Sequence, residues 1–418
     1  MERYKEYKPS VVSGLKEVPA HWNEILNGIL FKENVRKPKE NDIPLSLSQK
    51  DGLIPTDLMK ESSLKTSSYN NWKRVVKHDL VLNRFKAHLG VLMASDYEGM
   101  VSFHYGVYEP RMPLVTKYYE LLFHTDVYKG IYAYTSNGMT VGLQNLSNLA
   151  FYSIKGIYPP LAEQEKIVSF LESKNSMIDT YVAEKEKEIQ LLQELKQKTI
   201  ADAVTKGLSP DAKMKDSGIS WIGMIPENWE TKKIGFLFIE RREKVSDKEY
   251  PALSVSKQGV TPQLETAVKT DNGDNRKKVC KDDFVVNSRS DRKGSCGVSP
   301  YTGSVSLINI VLAPREIIEI QYFHYLFRSN DYIEEYYRIG RGIVADLWTT
   351  RYSEMRNILV PFPPKEEQRA IVSYIEEKCH KIDTLMSELQ AEIDYMKEYK
   401  QRLIADCVTG QINVQNID

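Results

Sequence analysis

The chain has few cysteines, no long apolar run and no net charge, and each absence narrows what it can be. Its 418 residues hold four cysteines, Cys280, Cys296, Cys379 and Cys407. All lie in the second half and none forms a Cys-x-x-Cys pair, which points to reduced thiols rather than a disulfide frame or a zinc site. No stretch of about 18 apolar residues occurs, which argues against a membrane span. The opening MERYKEYKPS is too charged for a secretory signal, so a cytoplasmic protein is expected. Glycine and proline number 22 and 18, short of a disordered or fibrous composition. Lys+Arg and Asp+Glu both stand at 57, which taken alone argues against a strongly basic nucleic-acid binder. The chain is too long for one core, so two or more domains are expected.

The common catalytic signatures are also missing. There is no GxxxxGK[ST] for a nucleoside triphosphate and no G-x-G-x-x-G after a strand. The two Pro-Pro pairs sit in IYPPL and FPPKE, not in the Asn/Asp-Pro-Pro-Tyr/Phe of amino-methyltransferases. Histidine and cysteine lack zinc spacing, and G-x-S-x-G is absent. Asp282-Asp283 beside Lys281 could be forced into a nuclease pattern, but acid–lysine neighbours are too common to carry that reading.

What the chain does have is a repeat. PPLAEQEKIVSFLESKNSMIDT from Pro159 recurs as PPKEEQRAIVSYIEEKCHKIDT from Pro363, and over 159–205 the interval of 204 gives 23 identities in 47 positions. The interval holds upstream, where KHDLVLN (77–83) lies over KDDFVVN (281–287), Gly90 over Gly294 and Gly138 over Gly342. SGLKEVPAHW (13–22) answers SGISWIGMIPENW (217–229), the second being three residues longer.

Each copy has two parts. After Pro160 or Pro364 some forty residues run without glycine or proline, rich in Glu, Lys, Gln, Leu and Ile, which predicts a long helix. Apolar positions fall on 4,3 spacing: Ile178, Val182, Lys185, Ile189, Leu192, Lys196, Thr199 and Ala203, answered by Ile382, Met386, Leu389, Ile393, Met396, Lys400, Leu403 and Cys407. That is a coiled-coil seam with a basic residue inside it in both copies. Gly207 and Gly410 mark the ends. Two rods in one frame predict an antiparallel pair, about 42 Å long at 1.5 Å per residue, set between two globular parts.

The globular parts, about 20–157 and 217–362, show short strand-like runs: LVLNRF, VSFHYGVY, FVVNSR and SVSLINIVL. Charge divides along the same boundaries. Lys+Arg against Asp+Glu is 16 to 13 and 21 to 19 in the globular parts, but 9 to 11 and 7 to 11 in the helical ones. Locally the cations cluster, with Arg276, Lys277, Lys278, Arg289, Arg292 and Lys293 in one run and Arg338 and Arg341 after Tyr332, Tyr336 and Tyr337. The first copy offers Asn83, Arg84, Lys86 and His88, then Ser136 and Asn137. Gln49, Lys50, Lys257, Gln258 and Asn287 complete the set of side chains suited to phosphates and base edges. Any one cluster would serve equally as a solvated loop. Their comparison says more: between Asn83/Asn287 and Gly90/Gly294 the frame is equal in length, yet one copy reads RFKAHL and the other SRSDRK. Equal framework with unlike polar contents suits two reading heads for two targets.

The layout SG…P..W, a variable part, then PP..EQ..I into a long helix, all twice, resembles the specificity subunit of Type I restriction–modification enzymes over nearly the whole chain. The resemblance implies an α+β fold with an internal pseudo-twofold repeat, in which two mixed α/β target-recognition domains are joined by two long antiparallel coiled-coil helices. On this reading residues 1–157 and 211–362 are the recognition domains, and 158–210 and 363–418 the helical spacers. Each domain would read one half of a split, asymmetric site on double-stranded DNA. The helices would set the gap and dock methylating subunits, two being expected, with Glu163, Gln164, Ile178, Ile189, Leu192, Glu367, Gln368, Ile382, Leu389, Ile393 and Met396 as spacer and docking positions. The chain itself would bind no metal or cofactor and do no chemistry. S-adenosylmethionine, ATP and Mg would belong to the methylating and restriction (translocase) subunits. A spacer of about 42 Å against the ~34–36 Å of one duplex turn would set the heads on successive major grooves. Two alternatives remain at this level: a nuclease or methylase acting alone, and a coiled-coil scaffold that binds only protein. The first copy departs from the layout in its shortened start, which lacks a counterpart of Trp221.

Overall fold

The structure is a computed structural model that describes residues 2–49, 52–59, 71–136, 145–264, 273–315, 318–341 and 348–417. The chain divides into two compact units, Met1–Lys185 with Ala391–Asp418, and Glu186–Gln390. Both boundaries fall inside long helices, so each unit takes one half of each helix.

In the first unit, strands β1 (Phe31–Glu33), β2 (Leu80–Asn83), β3 (Leu92–Ala94) and β4 (Tyr105–Pro110) form an antiparallel sheet in the order β1-β4-β2-β3. Helices α1 (Thr116–Phe123) and α2 (Asp126–Thr135) follow, then the long helix α3 (Leu161–Lys206). The second unit repeats the plan with β5 (Phe238–Glu240), β6 (Phe284–Asn287), β7 (Cys296–Val298) and β8 (Asn309–Pro314) in the order β5-β8-β6-β7. Its helices are α4 (Ile320–Phe327), α5 (Asn330–Arg338) and the second long helix α6 (Lys365–Val408).

The runs LVLN and FVVN are apolar without alternation because both faces of each sheet are covered. Leu80 and Leu82 face a large aromatic core while Val81 faces a smaller aliphatic one with Leu45, Leu53 and Val107. Phe284 and Val286 against Val285 divide in the same way. The aromatic cores hold Phe31 edge-on to Tyr119 at 5.2 Å in one unit and Phe238 edge-on to Phe323 at 5.5 Å in the other. Such pairs add about 0.5–1.5 kcal/mol beyond burial. The expected runs VSFHYGVY and SVSLINIVL are each cut by a turn, into Gly99–Val101 and β4, and into Gly303–Val305 and β8.

The interval of 204 persists in hydrogen bonds. Tyr118 donates its hydroxyl to the Val408 carbonyl at 2.7 Å, and Tyr322 to that of Val204 at 2.7 Å. Asp79 accepts the Val76 amide and pairs with Arg36, as Asp283 accepts the Cys280 amide and pairs with Arg241. The Asp282-Asp283 pair therefore supplies a buried structural carboxylate.

The tryptophan that opens each copy is fully buried. Trp22 follows the hairpin of Tyr7–Pro9 with Glu17–Pro19 and donates its indole N–H to Glu163 on α3 at 3.0 Å. Trp229 follows the hairpin of Met214–Asp216 with Met224–Pro226, which is equal in length to the first, so the start of the first copy is not shortened as the sequence alignment suggested. Gly410, just past α6, has φ +75°, and a Cβ there would lie 2.5 Å from Pro19, so both conformation and space require glycine.

The long helices α3 and α6 pack together, antiparallel within each unit. In the first unit Asp179 of α3 meets Lys400 of α6 while Tyr181 reaches Glu392. In the second, Lys196 meets Asp383, and Ala203 and Val204 share a core with Ile371 and Ile375. Every residue of the sequence-derived seam is buried or half-buried, whereas most neighbours between are exposed. No helix among the described residues is long and apolar enough to cross a membrane.

Candidate nucleic-acid interface

The two loops that differ in content are built on one scaffold. After β2, the Asn83 carboxamide oxygen accepts the amides of Phe85 and Lys86 at 3.1 and 3.2 Å, and a short turn over Ala87–Leu89 ends at Gly90 with φ +73°. After β6, Asn287 accepts the Arg289 amide at 3.3 Å, a turn covers Ser290–Arg292, and Gly294 has φ +76°. Asparagine fixes the turn locally and glycine takes the left-handed exit, so the residues between are free to differ.

In the second unit, three stretches far apart in sequence meet at this loop. Lys293 pairs with Glu334 of α5 at 2.5 Å and lies 5.2 Å from the Tyr337 ring, whose hydroxyl donates to the Arg289 carbonyl at 2.9 Å. Arg341 exchanges backbone hydrogen bonds with Thr349, and Thr350 donates to the Ser288 carbonyl. The end of the first cation run and the later arginine pair are thus one surface, carrying exposed Arg289, Arg292, Arg338 and Arg341 with half-buried Lys293. Arg289 and Arg292 flank Asp291 at 3.0 and 3.7 Å, and Arg338 pairs with Glu335 at 2.6 Å. The arginines of these pairs are exposed and their ion pairs are weak in water, so an incoming phosphate can replace the carboxylates. Lys257 and Gln258 are exposed at the tip of the hairpin of Leu253–Ser256 with Gly259–Pro262, whose Lys257 carbonyl accepts from Arg328.

In the first unit the loop is less cationic. Lys86 is exposed and His88 half-buried. Gln49 is exposed and donates to the Leu89 carbonyl at 3.2 Å. Ser136 caps α2 through the Tyr132 carbonyl. Arg84 is turned inward: Glu33 and Asn148 hold it at 2.6 Å each, and its carbonyl accepts from Leu146. It braces the loop from below. Lys50 and Asn137 lie outside the described residues.

Arg276, Lys277 and Lys278 do not belong to a loop, contrary to the sequence reading. They sit on the strand Arg276–Val279 between Lys244–Val245 and Gly303–Val305. Arg276 is 5% exposed and donates to the Ser304 hydroxyl and carbonyl at 2.9 and 3.1 Å. Lys277 donates to the Asn309 carbonyl at 2.7 Å, and burial pushes its ammonium pKa down. Lys278 pairs with Glu243 at 2.9 Å beside the Tyr250 ring. The charges of Arg276 and Lys277 are spent on the second unit's own sheet, whereas Lys278 is half-buried beside an exposed Glu243.

Gln164 and Gln368 are likewise fully buried. Each accepts an amide ahead of a helix, Val115 or Glu319, at 2.9 Å and donates to the carbonyl of Pro159 or Pro363 at 2.8 Å. They clamp the start of the long helix to its own unit and offer nothing to a docking partner. Glu163 holds Tyr4, His21 and Trp22, while Glu367 accepts from Asn228 at 3.2 Å. Ile178, Leu389 and Ile393 are buried, and Ile189, Leu192, Ile382 and Met396 are half-buried in the seam. The sequence reading missed Glu33 and Asn148 as supports of Arg84 and Tyr337 as a support of Arg289, because nothing in their spacing announces contacts made over 48 to 64 residues.

No family model matches the chain. It is 23% identical to a protein of Methanocaldococcus jannaschii assigned as the type I restriction enzyme MjaX specificity subunit, over 96% of this chain and 95% of that one. It is 22% identical to the type I restriction enzyme EcoBI specificity subunit of Escherichia coli, over 72% of this chain and 67% of that one. Among solved structures it matches the HsdS subunit from Thermoanaerobacter tengcongensis with a TM-score of 0.58 at 16% identity, over 96% of this chain and 100% of that one. A chain from work on the complex assembly and conformational transition of the type I R-M system matches with a TM-score of 0.68 at 16% identity, over 94% and 99%. Over nearly its whole length this chain is therefore a relative of the type I restriction enzyme specificity subunits and has the fold of the HsdS structure.

Proposed function

We propose that this chain is the DNA-specificity subunit of a type I restriction–modification complex. Each unit reads one half of a bipartite, asymmetric site through the loop after β2 or β6. The helices α3 and α6 set the gap between the half-sites and dock two methylating subunits. The chain does no chemistry and holds no cofactor. Adenine methylation with S-adenosylmethionine, and ATP- and Mg-dependent translocation and cleavage, belong to its partners in the cytoplasm.

The observation that carries this reading is the loop scaffold itself. Asn83 and Asn287 open loops of equal length by accepting the amide two residues on, and Gly90 and Gly294 close them with positive φ, while the residues between are Arg-Phe-Lys-Ala-His-Leu in one unit and Ser-Arg-Ser-Asp-Arg-Lys in the other. Two frames held alike with unlike contents support two targets rather than one. The test is to map methylated adenines across the genome with and without this chain. One bipartite motif with two unrelated halves should vanish when the chain is removed. An unchanged methylation map would overturn the proposal.

A further inference from the structure

Beside each reading loop, a second turn exposes apolar side chains. Tyr105 at the start of β4 pairs with Asn83, and Asn309 at the start of β8 with Asn287, so the preceding turns lie next to the loops. The turns are built alike: the Tyr105 amide donates to the Ser102 carbonyl and the Asn309 amide to that of Ser306, each at 3.0 Å. In the second unit Ser288, the first loop residue, donates its hydroxyl to the Ile308 carbonyl at 2.5 Å and ties turn to loop.

In the first unit Phe103 and Phe85 are 50% and 43% exposed, and the His104 ring lies between them at centroid distances of 3.9 and 5.8 Å. In the second, Leu307 and Ile308 are 38% and 40% exposed at the matching turn. Folding does not need these side chains outside the two filled cores, and an apolar cluster left in water marks a contact surface. What borders it names the occupant. Exposed Lys86 follows Phe85 in one loop, and exposed Arg289 follows Ser288, which is bonded to the Ile308 carbonyl, in the other, which suits a polyanion with an apolar feature on its face. In the major groove that feature is the thymine 5-methyl group.

We propose that these turns are second reading elements, resting on the function proposed above. Phe103 and Phe85 pack on a thymine methyl of the first half-site, and Leu307 and Ile308 on one of the second. The basic loop residues hold the backbone and neighbouring base edges. Unlike side chains at matched turns then add to the difference between the two targets.

The experiment uses the complete chain with its methylating partners and duplexes in which each thymine of the mapped site is replaced singly by uracil, which lacks only the methyl. At a contacted position the wild-type complex should bind about fourfold more weakly, the equivalent of one buried methyl-sized group at about 0.8 kcal/mol. Phe103→Ala should erase that preference in the first half-site and Leu307→Ala in the second. Each should leave the other half-site and the thermal midpoint unchanged, since the side chains lie outside the cores. Uniform indifference to uracil in the wild type, or variants that keep the thymine preference, would overturn the inference while leaving the proposed function standing. A complex with no sequence preference at all would overturn both.

Discussion

Lys400 on α6 holds its ammonium 2.6 and 2.7 Å from the two carboxylate oxygens of Asp179 on α3, and Lys196 on α3 stands at the same distances from Asp383 on α6. The two pairs are one contact made twice, since Asp179 and Asp383, and Lys196 and Lys400, are each 204 residues apart. A lysine in an apolar seam is costly unless a carboxylate answers it. Here the answer comes from the partner helix, so the pair specifies register more than it adds stability.

This contact bears on a single copy expressed alone. A chain of residues 1–210 exposes the seam of Ile178, Val182, Ile189 and Leu192, and burying it favours twofold pairing with its own copy. Asp179 of one copy then meets Lys196 of the other, because Lys196 is the counterpart of Lys400. Sedimentation should show a dimer, and with the methylating partner it should modify an inverted repeat of the first half-site. Asp179→Lys in this chain should give a monomer, and adding Lys196→Asp should restore the dimer. A soluble monomeric 1–210 chain with no modification would refute the pairing.

At the second loop, replacing Arg289, Arg292 and Lys293 together by Ala should weaken binding at the second half-site. For each of the three that contacts phosphate, the slope of log K against log salt should shrink by about one unit. For each that contacts a base edge, the cognate site should lose roughly 1–3 kcal/mol and other sites little. Native methylation at the native rate would exclude this loop as a reading element.

Arg276→Ala should behave oppositely. It leaves Ser304 without its donor inside the second unit, at a cost of about 1–3 kcal/mol in denaturant unfolding. The salt slope of DNA binding should not change, because the guanidinium never reaches the surface.

Acid should weaken the second unit through His324. This ring accepts the Val298 amide at 3.2 Å, and burial, with Arg328 nearby, pushes its pKa down to about 4. The unfolded chain takes up that proton near pH 6.5, so between about 6.5 and 4 the unfolded state binds more protons and stability falls as pH falls. The loss by pH 5 should be about 2 kcal/mol. His324→Gln should flatten the thermal midpoint between pH 7 and 5. It should not abolish the slope, because burial also lowers the pKa of His124. An unchanged slope in the variant would show that His324 is not the group responsible.

How much of this could be read from the residues differs from element to element. The long helices were legible because their signal is local: forty residues without a breaker, with apolar positions at 4,3 spacing, and the same positions are those shielded in the fold. The loop scaffold was legible through the repeat, since two copies of Asn…Gly at one interval mark what stays while contents vary. The inward turn of Arg84 was not legible, because Glu33 and Asn148 that hold it lie 51 and 64 residues away.

The amino-acid order by itself determined the duplication, the two rods, the seam with its lysines and the paired frames of the loops, because each rests on periodicity or on comparing the chain with itself. Only the tertiary structure decided which cations are available. Arg276 and Arg289 are alike in sequence, thirteen residues apart in one basic run. One is drawn into a sheet by Ser304 and the other left on a loop tied to Tyr337. That difference comes from strand pairing and long-range hydrogen bonds, which depend on what the fold brings alongside and not on the residues next in line.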